Sequence, residues 1–142
     1  MSKAVFVDSD VILDVLEKRE PFYPFSAQIL TLGDEKKIKL VTTSLVFANV
    51  YYLLKKHIGI EKAKECLCKL RIIVDVISVN AKEVDLALNS EFSDFEDAMQ
   101  YFTALDNKID FIITRNIRDY KNPKIIVVTP QQYIESLIRK NA

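Results

Sequence analysis

The chain has 142 residues, 20 Lys and Arg against 20 Asp and Glu, and 49% hydrophobic residues. That length suits one domain rather than two, and a domain of this size buries about 70% of its unfolded surface, so neither a disulfide nor a structural metal is needed to fold it. Zero net charge argues against a protein built to coat nucleic acid, and no apolar run approaches the roughly 20 residues that cross a bilayer, so no membrane association is expected.

The first apolar run, Ala4–Val7, is too short for a secretory leader before Asp8 and reads as a buried strand. An unusually aromatic connection, Glu20-Pro21-Phe22-Tyr23-Pro24-Phe25, follows the first helix. It is open to three readings: a loop over a site, a partner surface or a core plug. Lys39–Thr42 is the second strand. After it Val46, Val50, Leu53 and Leu54 form a helical stripe that stops at Gly59, a C-terminal cap. Cys66 and Cys68 lie two apart on a helix and so point to different faces. They read as reduced thiols of a cytoplasmic protein.

Arg71–Val79 reads as the third strand. Ser93-Asp94-Phe95-Glu96 has the form of a capping box, opening a helix with Phe95, Met99 and Phe102 as its core stripe. Phe111–Thr114 and Ile125–Val128 are the last strands, and Thr129-Pro130-Gln131-Gln132 starts the final helix. Strands rich in Val and Ile that alternate with helices predict a single α/β domain, residues 1–142. Its mainly parallel central sheet has about five strands flanked by helices.

In such a sheet, ligands bind beyond the carboxyl ends of the strands. Asp8 directly follows the first strand, and Asn116 and Asp119 follow the fourth. Asp94 and Asp97, three apart near a helix start, share a face. Converging carboxylates raise one another's pKa unless a cation intervenes, and a sparse all-oxygen set suits Mg²⁺ or Mn²⁺. Such an ion can activate water and neutralise a phosphodiester, whereas the lone histidine and the two cysteines on different helix faces offer no zinc site. Each acid also has a structural reading. Asp8 and Asp94 can cap helices, Asp10 reads as a helix-start residue and Asp14 as part of a solvated face.

Four segments resemble the PIN-domain family. Val7-Asp8-Ser9-Asp10-Val11-Ile12-Leu13 is similar to the family's opening motif, and Thr43-Ser44 before a helix to its second. Asp94-Phe95-Glu96-Asp97-Ala98-Met99-Gln100-Tyr101 looks like its acidic helix. Ile112-Ile113-Thr114-Arg115-Asn116-Ile117-Arg118-Asp119-Tyr120 looks like its last motif. The resemblance implies a metal-dependent endoribonuclease that cleaves single-stranded RNA, with VapC-type toxins of toxin–antitoxin pairs among its relatives. It further implies a small antitoxin partner and a homodimer.

Carried over residue by residue, the catalytic acids fall on Asp8, Asp97 and Asp119. Asn116 and Asp94 join them as metal ligands. The family usually has a glutamate about five residues after the motif-two serine, and here Asn49 stands there. An amide brings no charge, so metal affinity should be lower by about an order of magnitude. Ser44, Thr114, Arg115 and Arg118 are the supporting or substrate-binding residues. The arginines suit phosphate, although pairing with a nearby acid explains either equally well, and Ser44 reads equally as a helix cap. Tyr51, Tyr52 and Tyr101 read as packing residues, and the Lys36-Lys37 and Lys55-Lys56 runs as solvated surface. His57 suits a helix end rather than catalysis.

Two other readings compete. With Asn49 and Asn116 neutral, the domain could be an inactive module that binds RNA or protein. Asp8-Ser9-Asp10 also has the Asp-x-Asp form of haloacid dehalogenase-type phosphatases. That chemistry wants a later adjacent acidic pair, and no Asp-Asp pair occurs.

Overall fold

The computed structural model describes residues 3–121 and 123–140. Five strands form one sheet in the order β3-β2-β1-β4-β5, every neighbouring pair parallel. The strands are β1 (Ala4–Val7), β2 (Lys39–Thr43), β3 (Val74–Ile77), β4 (Phe111–Ile113) and β5 (Ile126–Val128). Among the described residues seven helices flank them: α1 (Ser9–Leu16), α2 (Tyr23–Asp34), α3 (Ser44–Ile58), α4 (Ile60–Ile73), α5 (Ala81–Leu88), α6 (Phe95–Asp106) and α7 (Pro130–Lys140). This is the α/β architecture expected from the pattern. The sheet strands are apolar on both faces because helices cover both, and Val5, Phe6, Val7, Ile112 and Ile113 are fully buried.

Local signals place most boundaries. Gly59, at φ 85°, ends α3 with its N–H on Lys55 O at 2.9 Å and then begins α4. Thr129 and Gln132 exchange reciprocal side-chain bonds at the start of α7, a complete capping box. At α2, a Cβ on Gly33 would lie 2.3 Å from Leu40 Cδ1, so glycine is what lets this helix approach β2.

Five expectations need correction. The third strand starts at Val74 rather than Arg71, because Arg71–Ile73 complete α4, whose last turn Val74 closes by donating to Leu70 O. Ile72 is 85% exposed, which its apolar character concealed. The cap of α6 is Asp94, whose Oδ1 accepts from Asp97 N at 2.9 Å, so Ser93 is not the cap. The buried face of α6 runs through Ala98, Tyr101 and Ala104, while Phe95 is exposed. The cap of α3 is Thr43, accepting from Val46 N at 3.2 Å, and Ser44 is an exposed first helical residue. Leu53 is also partly exposed rather than a member of the α3 core stripe.

Cys66 and Cys68 are free thiols, and no helix among the described residues is long and apolar enough to cross a membrane.

A candidate acidic metal centre at the sheet switch point

The chain runs from β1 outward through β2 to β3 and then returns to place β4 on the other side of β1. The strand order therefore reverses between β1 and β4, and the crevice beyond their carboxyl ends is where such a sheet holds its ligand. Asp8 leaves β1 into that crevice. Its N–H donates to Ile113 O at 3.1 Å, extending the β1–β4 ladder by one rung. Its Oδ1 accepts from Ser9 N at 2.7 Å and its Oδ2 from the Thr114 hydroxyl at 3.0 Å. Asp8 is thus the cap of α1 and a crevice acid at once, so the structural and the chemical readings are both true of it.

The opposite wall comes from α6. Asp97 shares a stripe with Tyr101 and Ala104 at spacings of four and seven, the helical positions that face the sheet. Asp94 stands at the helix start with one oxygen committed to its cap. Past β4 a short 3₁₀ turn, Ile117–Asp119, carries Asp119 to the rim. These acids line one open crevice of about 400 Å³ together with Asp10, Asn116, Asn49 and Glu96. The structure therefore brings together Asp8, Asp97, Asp119, Asn116, Asp94 and Asn49. Ser44 does not line the crevice, and Tyr52 does: it is exposed at the rim rather than packed in a core.

Electrostatics follow from this crowding. Burial, and then the charge of Asp10, push the Asp8 carboxyl from an ordinary 3.8 to about 7, against the two hydrogen bonds that favour its ionised form. Burial also raises Asp97 to about 7, with Asp8, Asp94, Asp119 and Glu96 adding to it. Burial lifts Glu96 as well, followed by the charge of Asp94. Among the described residues no cationic side chain lies within 4.0 Å of Asp8, Asp94, Glu96, Asp97 or Asp119.

The residues present fit a hard divalent cation in donor chemistry. The crevice offers carboxylate and amide oxygens and neither thiol nor imidazole, and Asp10 Oδ1 is buried with no hydrogen-bond partner. As they stand, no three acidic, histidine or cysteine side chains among the described residues converge tightly enough to grip one ion unaided.

Three residues have roles that the sequence concealed. Asp10 accepts from Arg115 N at 3.1 Å and Asn116 Nδ2 at 3.3 Å, fixing the turn after β4. Asp14 is fully buried, not on a solvated face, and its Oδ2 lies 2.8 Å from Arg115 Nε. The Arg115 guanidinium thus meets Asp14 on one side and the Phe22 ring, 4.0 Å away, on the other. Of the two readings of Arg115, the geometry favours the ion pair over the phosphate contact. Glu96 reaches across the crevice to accept from Asn49 Nδ2. Glu96 lies between Asp94 and Asp97 in the first turn of α6, and its spacing from them carries no sign of Asn49.

Fold and acidic crevice together define a parallel α/β domain with its acids at the switch point. The profile of the PIN domain matches residues 4–118, and the chain belongs to that family. It is 30% identical over 139 residues to ribonuclease VapC1 of Aquifex aeolicus, covering 94% of this chain and 95% of the relative. Among solved structures, a toxin–antitoxin complex from Klebsiella pneumoniae superposes with a TM-score of 0.67 at 19% identity, covering 89% of this chain and 97% of that one. VapC20 of Mycobacterium tuberculosis, a sarcin–ricin loop cleaving toxin, superposes with a TM-score of 0.60 at 18% identity, covering 76% and 86%.

Proposed function

We propose that this protein is a divalent-metal-dependent endoribonuclease that hydrolyses phosphodiesters of single-stranded RNA, acting in the cytoplasm as the toxin of a toxin–antitoxin pair. The observation that carries this reading is the set of unneutralised carboxylates at the β1–β4 switch point. Asp8 and Asp97 are held at about 7 with no protein cation beside them. Likeness to ribonuclease VapC1 over 94% of the chain supports the substrate class.

Asp8, Asp97 and Asp119, with Asn116 and the free oxygen of Asp94, would hold Mg²⁺ or Mn²⁺. The ion would supply activation of a water and charge neutralisation at the phosphodiester. Thr114 orients Asp8 through its hydroxyl. Asp10 holds the Arg115–Asn116 backbone so that Asn116 faces the crevice. Glu96 accepts from the Asn49 amide, so a carboxylate lies beside that uncharged side chain in the crevice. Likeness to ribonuclease VapC1 does not favour the non-catalytic reading. A small protein antitoxin is the partner of this reading, supported by the toxin–antitoxin complex among its structural likenesses, and a homodimer belongs to it by the family resemblance alone.

The test is incubation of the purified chain with single-stranded RNA and Mn²⁺. Cleavage is expected, stopped by EDTA and abolished by Asp8→Asn or Asp97→Asn. Wild type and both variants leaving the RNA equally intact would overturn the enzymatic reading. Coexpression with the product of a small neighbouring reading frame should relieve growth arrest, and light scattering reports the dimer.

A further inference from the structure

The acidic crevice has one conspicuous deficiency as an RNA site: no lysine or arginine lines it. At its rim Lys55 and Lys56 lie over the Tyr52 ring, with Nζ 5.2 and 4.2 Å from the centroid, but among the described residues no cation lines the crevice itself. The missing cations lie next door. A second cleft, of about 280 Å³, opens between the Ser90–Ser93 loop that precedes α6 and the turn that follows β4. Asp119 lines both spaces, so the two are adjacent. Arg118 and Lys121 stand in the second cleft, both exposed, and neither has an acidic partner within 4.0 Å among the described residues.

We infer that this cleft is a nucleotide subsite, which holds one unstacked nucleotide of the strand whose neighbouring phosphate enters the acidic crevice. The inference rests on the ribonuclease reading and assigns it a substrate-holding surface. Arg118 and Lys121 supply the contact to a phosphate, and the cleft's other wall is aromatic. Phe92 and Phe102 both line it and both are half-buried. The Phe92 ring is fixed by edge contacts to Phe102, at 6.1 Å and 64°, and to Tyr120, at 5.8 Å and 83°. Tyr101 packs on the same ring at 5.3 Å and 38°, so what Phe92 offers a base is the part that lines the cleft, and stacking on aromatic side chains tolerates any base.

Charge and size narrow the ligand. Glu91 and Asp119 balance the two cations, so the cleft is no general anion trap. A nucleotide brings both an anionic phosphate and base N–H donors, and so satisfies both signs. At about 280 Å³ the space falls just below the usual range for ligand pockets, which begins near 300 Å³, and admits one base rather than a paired step. Bases in a duplex keep their faces stacked on one another, so only an unpaired strand can present one here. Single-strand selectivity would then arise in this cleft, and hydrolysis in the crevice beside it.

The test is an NMR titration of the full chain in EDTA with nucleoside 5′-monophosphates and, separately, inorganic phosphate. Shifts are expected in Ser90–Ser93 and Arg118–Lys121, with inorganic phosphate binding about tenfold more weakly than the nucleotides because it lacks the stacked base. Arg118→Ala with Lys121→Ala should weaken nucleotide binding about tenfold, whereas Lys36→Ala with Lys37→Ala, which removes the same charge elsewhere, should not. In RNA cleavage with Mn²⁺ the first pair should raise KM about tenfold and change kcat less than twofold. Nucleotide shifts confined to other surfaces, or a double variant that titrates as wild type, overturn the inference even while wild type cleaves RNA. Nucleotide binding in the cleft with no RNA cleavage under any metal overturns the ribonuclease reading instead.

Discussion

Arg115 Nε lies 2.8 Å from Asp14 Oδ2, joining the turn after β4 to the buried face of α1. Asp14 is fully buried, and Asp10 on the same helix accepts from the Arg115 backbone. One arginine therefore locks the fourth strand's exit against the first helix by both its main chain and its side chain. Removing one member of a buried pair leaves the other charge uncompensated, at a typical cost of about 3 kcal/mol. Arg115→Ala and Asp14→Ala should each destabilise the chain by about that much in urea denaturation. The double variant should cost clearly less than the sum. Strict additivity would show that the pair is not coupled.

Glu96 and Asn49 face each other across the crevice in a side-chain hydrogen bond. If Glu96 supplies the carboxylate that position 49 lacks, Glu96→Gln should weaken Mn²⁺ binding about tenfold by calorimetry, with circular dichroism unchanged. Moving the charge back, with Asn49→Glu added to Glu96→Gln, should restore most of the affinity. Unaltered Mn²⁺ affinity in Glu96→Gln would remove this residue from the site.

The titration of Asp8 and Asp97 couples metal, protons and stability. Both rise from 3.8 to about 7 on folding, so between those values the folded chain holds more protons than the unfolded one. Their contribution is complete below about pH 4 and is lost as pH climbs through about 7. In EDTA, Tm should fall between pH 5 and pH 8. Mn²⁺ should reverse the fall at the upper end and release protons as it binds. Asp8→Asn removes the buried charge, and at pH 8 without metal it should stabilise by about 1 kcal/mol, raising Tm by a few degrees. A Tm in EDTA that does not vary with pH would contradict the burial of these acids.

Gly33 marks the closest approach of α2 to the sheet. A methyl group there would meet Leu40 Cγ at 2.7 Å, and Leu40 is itself buried. Gly33→Ala should destabilise by about 1–3 kcal/mol, the usual range for an overpacked core, and Leu40→Val in the same chain should recover part of it. Denaturation midpoints decide the matter.

The sheet was legible because its signals are local. Runs such as Val5-Phe6-Val7 and Phe111-Ile112-Ile113 are short, apolar and bounded, and the acids that follow them lie in adjacent sequence. The third strand was misplaced at its start because Arg71-Ile72-Ile73 is as apolar as a strand, and only the main-chain bond from Val74 to Leu70 shows it to be helix. Asp14 and Asp10 were underrated for a different reason. Their partner, Arg115, is 101 and 105 residues away, and the sequence around them carries no trace of it. Glu96 likewise meets Asn49 across 47 residues. Periodicity reports which face is buried, but not which charge will be waiting there.

The Thr114–Asp8 bond spans 106 residues. During synthesis, chains emerge amino end first at about 5–20 residues per second, and Asp8 is free of the ribosome long before β4 exists. The crevice lacks one wall until β4 pairs with β1 and brings Thr114, Asn116 and Asp119 into place. A growing or prematurely ended chain therefore carries no finished cutting edge. If the crevice cuts RNA as proposed, a chain that stops before β4 would carry none of that activity.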